Sequence, residues 1–147
     1  MMGLKVRRLE VDFLTYPTER VDIAQTIIRN LIEEDRDFTV MKVHSEHGFT
    51  IKRILLSIEG KEAEDKWNSI KSRMERSVIE EIASSLDRNL EGAKLHIRFD
   101  KQKLLLKDLS LFKGGYGGAV KLIIHYYKPY SVKDLLSEVL DDLLAGK

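Results

Sequence analysis

His44 and His47 flank Glu46, and a carboxylate between two histidines is the first place to look for metal or acid–base chemistry. The spacing does not serve it. The histidines stand at the end of a strand-like run, not at i and i+4 on a helix, and the order is not that of a zinc-protease motif. Two histidines without a third ligand make a poor metal site. They read as polar residues beside a turn, and neither a metal nor a cofactor is expected. The absence of cysteine excludes disulfides, thiolate chemistry and cysteine-ligated zinc. Asp100 and Asp108 are each next to a lysine, so an exposed ion pair is the expected role, not a paired acid and base. No elbow or other nucleophile motif surrounds a serine. Gly114-Gly115-Tyr116-Gly117-Gly118 lacks the Gly-Lys-Ser/Thr ending of a phosphate loop and leads into a strand, which makes it a hairpin turn. The chain reads as non-catalytic.

Charge distribution is more informative than the net charge of +1. Between Lys94 and Lys133, nine cations (Lys94, Arg98, Lys101, Lys103, Lys107, Lys113, Lys121, Lys128 and Lys133) face only Asp100 and Asp108, a net +7. The residues on either side are net acidic. A nearly neutral protein with one basic third presents a positive surface to a polyanion. Lys94, His96 and Arg98 alternate with Leu95, Ile97 and Phe99, and Lys121, His125 and Tyr127 alternate with Leu122, Ile124 and Tyr126. Cations with a histidine or tyrosine on one sheet face suit phosphates and unpaired bases.

The elements that must position these groups follow from periodicity. Leu9, Val11 and Phe13 alternate with charged residues in a first strand that Pro17 ends. Thr18 is placed to cap a helix over about 19–33. Strands follow at 38–46 and around Ile54–Ile58, with a turn at His47-Gly48 and a stop at Gly60. Ala63, Trp67, Ile70 and Met74 repeat at helical spacing, and Ser77 with Glu80 forms a capping box for the next helix. Further strands are expected at 94–100, over Leu104–Phe112, and from Val120 to Pro129. Ser131 opens a last helix over about 132–145. The order is β-α-β-β-α-α-β-β-β-α, an α+β two-layer sandwich with a mainly antiparallel sheet and helices on one face.

A length of 147 residues suits one domain, with a core at about 5–128 and the terminal helix beyond it. No apolar run is long enough to span a membrane and no signal segment opens the chain, so a cytoplasmic protein is expected. Few asparagines and glutamines beside many Lys, Arg and Glu point to a thermophile. Seven large apolar residues from Val132 to Leu144 give the last helix a wide stripe, fit for the domain's own core or for a second subunit in a homodimer.

The run Arg98-Phe99-Asp100-Lys101-Gln102, closing a strand, resembles the signature of an archaeal family of predicted exosome subunits and RNA-binding proteins. His47-Gly48-Phe49-Thr50-Ile51 occupies the place of that family's glycine- and histidine-containing turn, with Phe49-Thr50 where the family has Asn-Pro. The resemblance implies a fold similar to the large-subunit ribosomal protein that binds 5S RNA. It also implies an RNA-associated role.

The expectation is a non-catalytic RNA-binding protein, an exosome-associated accessory factor. Arg98, Lys101, Lys103 and Lys121 would hold phosphates, Gln102 would add a hydrogen bond, and Tyr127 would offer a stacking surface. The alternative is a dimeric protein-interaction module within an RNA-processing complex, without RNA contact of its own.

Overall fold

Alternation decides the long strands. In β1 (Val6–Thr15), Leu9, Val11 and Phe13 are buried while Arg8, Glu10 and Asp12 are only partly so. β5 (Lys94–Asp100) buries Leu95, Ile97 and Phe99, and β6 (Ala119–Tyr126) buries Val120, Leu122, Ile124 and Tyr126. Side chains two apart share a face, so each strand has one apolar and one more polar surface. The computed structural model describes residues 4–44, 48–115, 117–128 and 132–145. The remaining elements are α1 (Ile23–Ile32), β2 (Thr39–His44), β3 (Thr50–Glu59), α2 (Gly60–Arg73), α3 (Arg76–Ser84), α4 (Leu86–Asn89), β4 (Leu90–Glu91), α5 (Lys101–Leu105) and α6 (Val132–Leu144). The strands form one open antiparallel sheet in the order β2-β3-β1-β6-β5-β4. The class is α+β, as expected, and the longer elements follow the expected order, with two short helices added.

Three local expectations are corrected. Leu104–Phe112 is not a strand. Asp100 Oδ1 accepts a hydrogen bond from Lys103 N–H at 3.0 Å, which caps α5 and starts a helix where a strand was expected. The chain then turns through Lys107 at φ +63° and meets β5 only at the Phe99–Leu111 bridge. The leucines at 104–106 are consecutive, so they never had a strand's alternation: Leu104 is buried and Leu106 is 81% exposed. The extra strand is instead the two-residue β4. Second, α1 begins at Ile23, not near Glu19, because the Glu19 carboxylate is drawn into other bonds described below. Third, α3 starts at Arg76 after Glu75 and has no side-chain cap, so Ser77 and Glu80 do not make a capping box. The expected turn at His47 and cap at Ser131 lie outside the described residues.

By its contacts the chain divides into two units. One comprises residues 10–57 and 98–122. Here α1 buries Ala24, Ile27, Ile28 and Leu31 and packs on α5. Asn30 Nδ2 donates to the carbonyls of Leu104 (3.0 Å) and Leu105 (3.2 Å), satisfying acceptors that a helix end leaves open. The other unit takes residues up to 9, 58–97, and from 123 on. Its helices bury Trp67, Ile70, Ile79, Ile82 and Leu86, and α6 packs against α3 with Leu135, Val139 and Leu143 inside. Asp142 anchors α6. Its carboxylate accepts from Trp67 Nε1 (2.8 Å), Tyr126 OH (2.9 Å) and Lys71 Nζ (2.6 Å). Nothing in the local sequence marks Lys71 as a buried lysine.

Candidate nucleic-acid interface

β5 and β6 hold the same register at both ends of their pairing. Tyr126 N–H donates to the Ala93 carbonyl at 2.8 Å, and Lys101 N–H donates to the Gly118 carbonyl at 3.2 Å. Eight residues separate the anchors on each strand, so no bulge intervenes, and Arg98 stands opposite Lys121 on the face away from Phe99 and Leu122. Arg98 is exposed and Lys121 partly so, and neither has a carboxylate partner among the described residues. That sets Arg98 apart from arginines that do: Arg8 with Glu59 (2.8 Å), Arg29 with Asp35 (2.6 Å), Arg53 with Asp12 (2.6 Å) and Arg76 with Glu80 (3.0 Å). Like charges placed directly across a strand pair are destabilising. An anion lying over the two would remove that cost. Lys103 is exposed on α5.

Lys101 corrects the expectation that it holds phosphate. It is 1% exposed. Its ammonium donates to the Leu14 carbonyl at 2.7 Å and to Glu19 Oε1 at 2.6 Å, and sits 5.1 Å from the centre of the Tyr16 ring. Glu19 Oε1 also accepts from Tyr16 N–H at 2.8 Å. The Asp-Lys-Gln run is therefore a joint. Asp100 caps α5, Lys101 ties α5 to the segment after β1, and Gln102 lies across the glycine loop. A Cβ built on Gly117, at φ +99°, would come within 2.6 Å of Gln102 Cγ, so the loop needs glycine there. Gln102 is exposed apart from this contact. Glu19 was not foreseen as Lys101's partner, since 82 residues separate them.

Tyr127 belongs to the other unit. It is 53% exposed beside a groove of about 510 Å³ whose lining includes Arg7, Lys94, His125 and Lys128. His125 is buried and His96 is half-buried, 3.8 Å from Glu91, so neither histidine offers an open ring for stacking. His44 is exposed on β2, and His47 lies outside the described residues. No helix among the described residues is long and apolar enough to cross a membrane.

Comparison with known proteins gives a consistent picture. The crystal structure of protein AF2318 from Archaeglobus fulgidus superposes with a TM-score of 0.79 at 24% identity, covering 95% of this chain and 99% of that one. Mth689 from Methanothermobacter thermautotrophicus gives 0.77 at 20% identity, covering 97% and 99%. These two share the fold. Protein MJ0213 of Methanocaldococcus jannaschii is 31% identical over 90 residues, a stretch that spans 60% of this chain and 60% of that relative. A family model described as RNA binding matches residues 8–126, and the chain belongs to that family.

Proposed function

We propose that this protein is a non-catalytic RNA-binding factor that holds phosphates on the polar face of β5 and β6, acting as an accessory to an exosome-type RNA-processing assembly. The observation that carries this reading is the opposed pair Arg98 and Lys121, two cations side by side with no carboxylate partner among the described residues. Lys103 adds a third exposed cation in the same unit. Lys101 and Gln102 act behind this surface by fixing α5 and the glycine loop. Membership of the RNA-binding family supports the reading, and the resemblance of residues 98–102 to exosome-associated proteins supplies the assembly. Binding of this kind is electrostatic with modest sequence preference. Each phosphate contact with a single strand contributes about −0.7 to the slope of log affinity against log salt, so three cations give a slope of roughly −2. The test is titration with single-stranded RNA at several salt concentrations. Arg98→Ala combined with Lys121→Ala should flatten the slope by about 1.4. Lys61→Ala, on α2, should leave it unchanged. Equal weakening by both variants, or no binding at low salt, would sink the proposal.

A second reading, a dimeric interaction module, is favoured by α6. Leu136, Leu140 and Leu144 recur every four residues and are 45%, 37% and 44% exposed, an apolar stripe beside the buried one. Sedimentation equilibrium of the protein and of a Leu136→Lys, Leu140→Lys variant separates the two. A wild-type dimer that the variant abolishes supports the module, and a monomer in both removes it.

A further inference from the structure

A second pair of opposed cations lies outside the basic third of the sequence. The register of β2 and β3 sets Lys42 directly across from Lys52. Both are exposed, and neither has a carboxylate partner among the described residues. Like-charged neighbours in this position repel, so the pair carries a cost that a bound anion removes. Their face is the one bearing Ile54 and Leu56, opposite to the face that carries Arg53. Lys52 also lines a cavity of about 340 Å³, together with Tyr16, Pro17, Val21, Phe38 and Val40. That volume is in the range of small-molecule sites, and the lining has their usual make-up, mostly apolar and aromatic with a few charged groups. Its one carboxylate, Glu19, is already neutralised by Lys101. The cavity is therefore positive. Tyr16 is held in place by the Lys101 ammonium over its ring, and Val21 stands 99% exposed at the rim, apolar surface left uncovered.

Tyr16 and Phe38 in the lining, with Lys52 beside them and Lys42 across the strand pair from Lys52, fit a ligand that joins an aromatic ring to an anion. We propose that this cavity binds a nucleotide unit, its base against Tyr16 and Phe38 and its phosphate on Lys42 and Lys52. The inference stands apart from the β5–β6 surface, since a free mononucleotide and an unpaired residue of an RNA strand present the same chemistry. The experiment is titration of isotope-labelled protein, followed by amide chemical shifts, with AMP, with inorganic phosphate and with a short single-stranded RNA. AMP should shift Tyr16, Val21, Phe38 and Lys52, and phosphate alone should bind at least about tenfold more weakly, because it lacks the base. Lys42→Gln combined with Lys52→Gln should weaken AMP about tenfold or more, as expected for losing hydrogen bonds to charged groups. The melting temperature of the unliganded variant should hold steady or rise, because the repulsion is gone. RNA that binds there more tightly than AMP identifies an RNA subsite, and equal affinity identifies a free-nucleotide site. Absence of shifts at these four residues, AMP affinity unchanged in the lysine variant, or a fall in its melting temperature would overturn the inference. Arg98→Ala with Lys121→Ala should leave AMP binding intact. A silent cavity beside RNA binding that still depends on Arg98 would remove this site and leave the other standing.

Discussion

Replacing Lys101 by methionine separates a structural lysine from a ligand-binding one. The substitution keeps the apolar stem and removes the ammonium, so the Leu14 carbonyl loses that donor and the Glu19 carboxylate loses its counter-charge and keeps the Tyr16 N–H. The Lys101 side chain is 1% exposed and that of Glu19 14%, so water reaches the carboxylate only narrowly. Breaking a buried ion pair by removing one partner costs about 3–5 kcal/mol, and the slight exposure of Glu19 argues for the lower end, about 3 kcal/mol. Urea unfolding at neutral pH, extrapolated linearly to water, measures it. Glu19→Gln should also destabilise, since it strands the ammonium. The double variant should lose less than the sum of the two, with a coupling of about 1 kcal/mol or more. RNA affinity of folded Lys101→Met should keep the wild-type salt slope, whereas Arg98→Ala should flatten it by about 0.7. A Lys101→Met protein within about 0.5 kcal/mol of wild type, with weakened and flattened RNA binding, would refute the argument and return Lys101 to the phosphate-binding set.

Asp142→Ala should cost about 3–5 kcal/mol by urea unfolding, because it strands buried Lys71 and leaves Trp67 and Tyr126 without an acceptor; adding Lys71→Met should recover part of the loss. Gly117→Ala should destabilise by about 1–2 kcal/mol through its φ of +99° and its approach to Gln102, and Gln102→Ala should relieve only the steric share. Burial first, and then the Asp142 carboxylate, raises the Tyr126 hydroxyl well above its ordinary value of 10.0. The folded protein keeps that proton where the unfolded chain gives it up. This contribution to stability is therefore full below about pH 10 and is lost as pH climbs through the folded value. Tyr126→Phe should make the alkaline decline in stability, followed by urea midpoints, shallower.

Periodic segments were legible in the sequence. β5 alternates throughout, and β1 from Leu9 to Phe13 and β6 from Val120 to Ile124 alternate in burial, because one face meets the core; α2 and α3 repeat at helical spacing for the same reason. The failures share a different cause. Glu19 looks like a first-turn helix residue, and only a lysine 82 positions away explains why α1 starts four residues later. The leucines at 104–106 announce apolarity without a period, and the Asp100 cap decides between helix and strand there. At the candidate surface, Arg98 and Lys121 were read correctly as lying on the polar faces of their strands, but their opposition is a matter of register. Lys101 follows directly after a strand whose exposed positions are basic, and no neighbour signals that its ammonium turns inward. Lys42 and Lys52 sit in a part of the chain with net negative charge, where summing along the sequence hides a pair that strand pairing creates.

The strand order leaves the sheet with two rims of unequal reach. β2 ends it with six residues, all exposed, and β4 with two. Runaway fibre growth by strand addition requires each copy to offer a long rim on both sides, so that every junction leaves another one free. A two-residue rim provides too few hydrogen bonds to hold an incoming strand. Any rim-to-rim encounter through β2 therefore consumes the long rim of both copies and stops at a closed pair. Lys42, midway along β2, adds a charge that two identical rims must bring together, a device of the kind that keeps natural sheets from polymerising. Geometry protects one side of this sheet from propagation, and electrostatics the other.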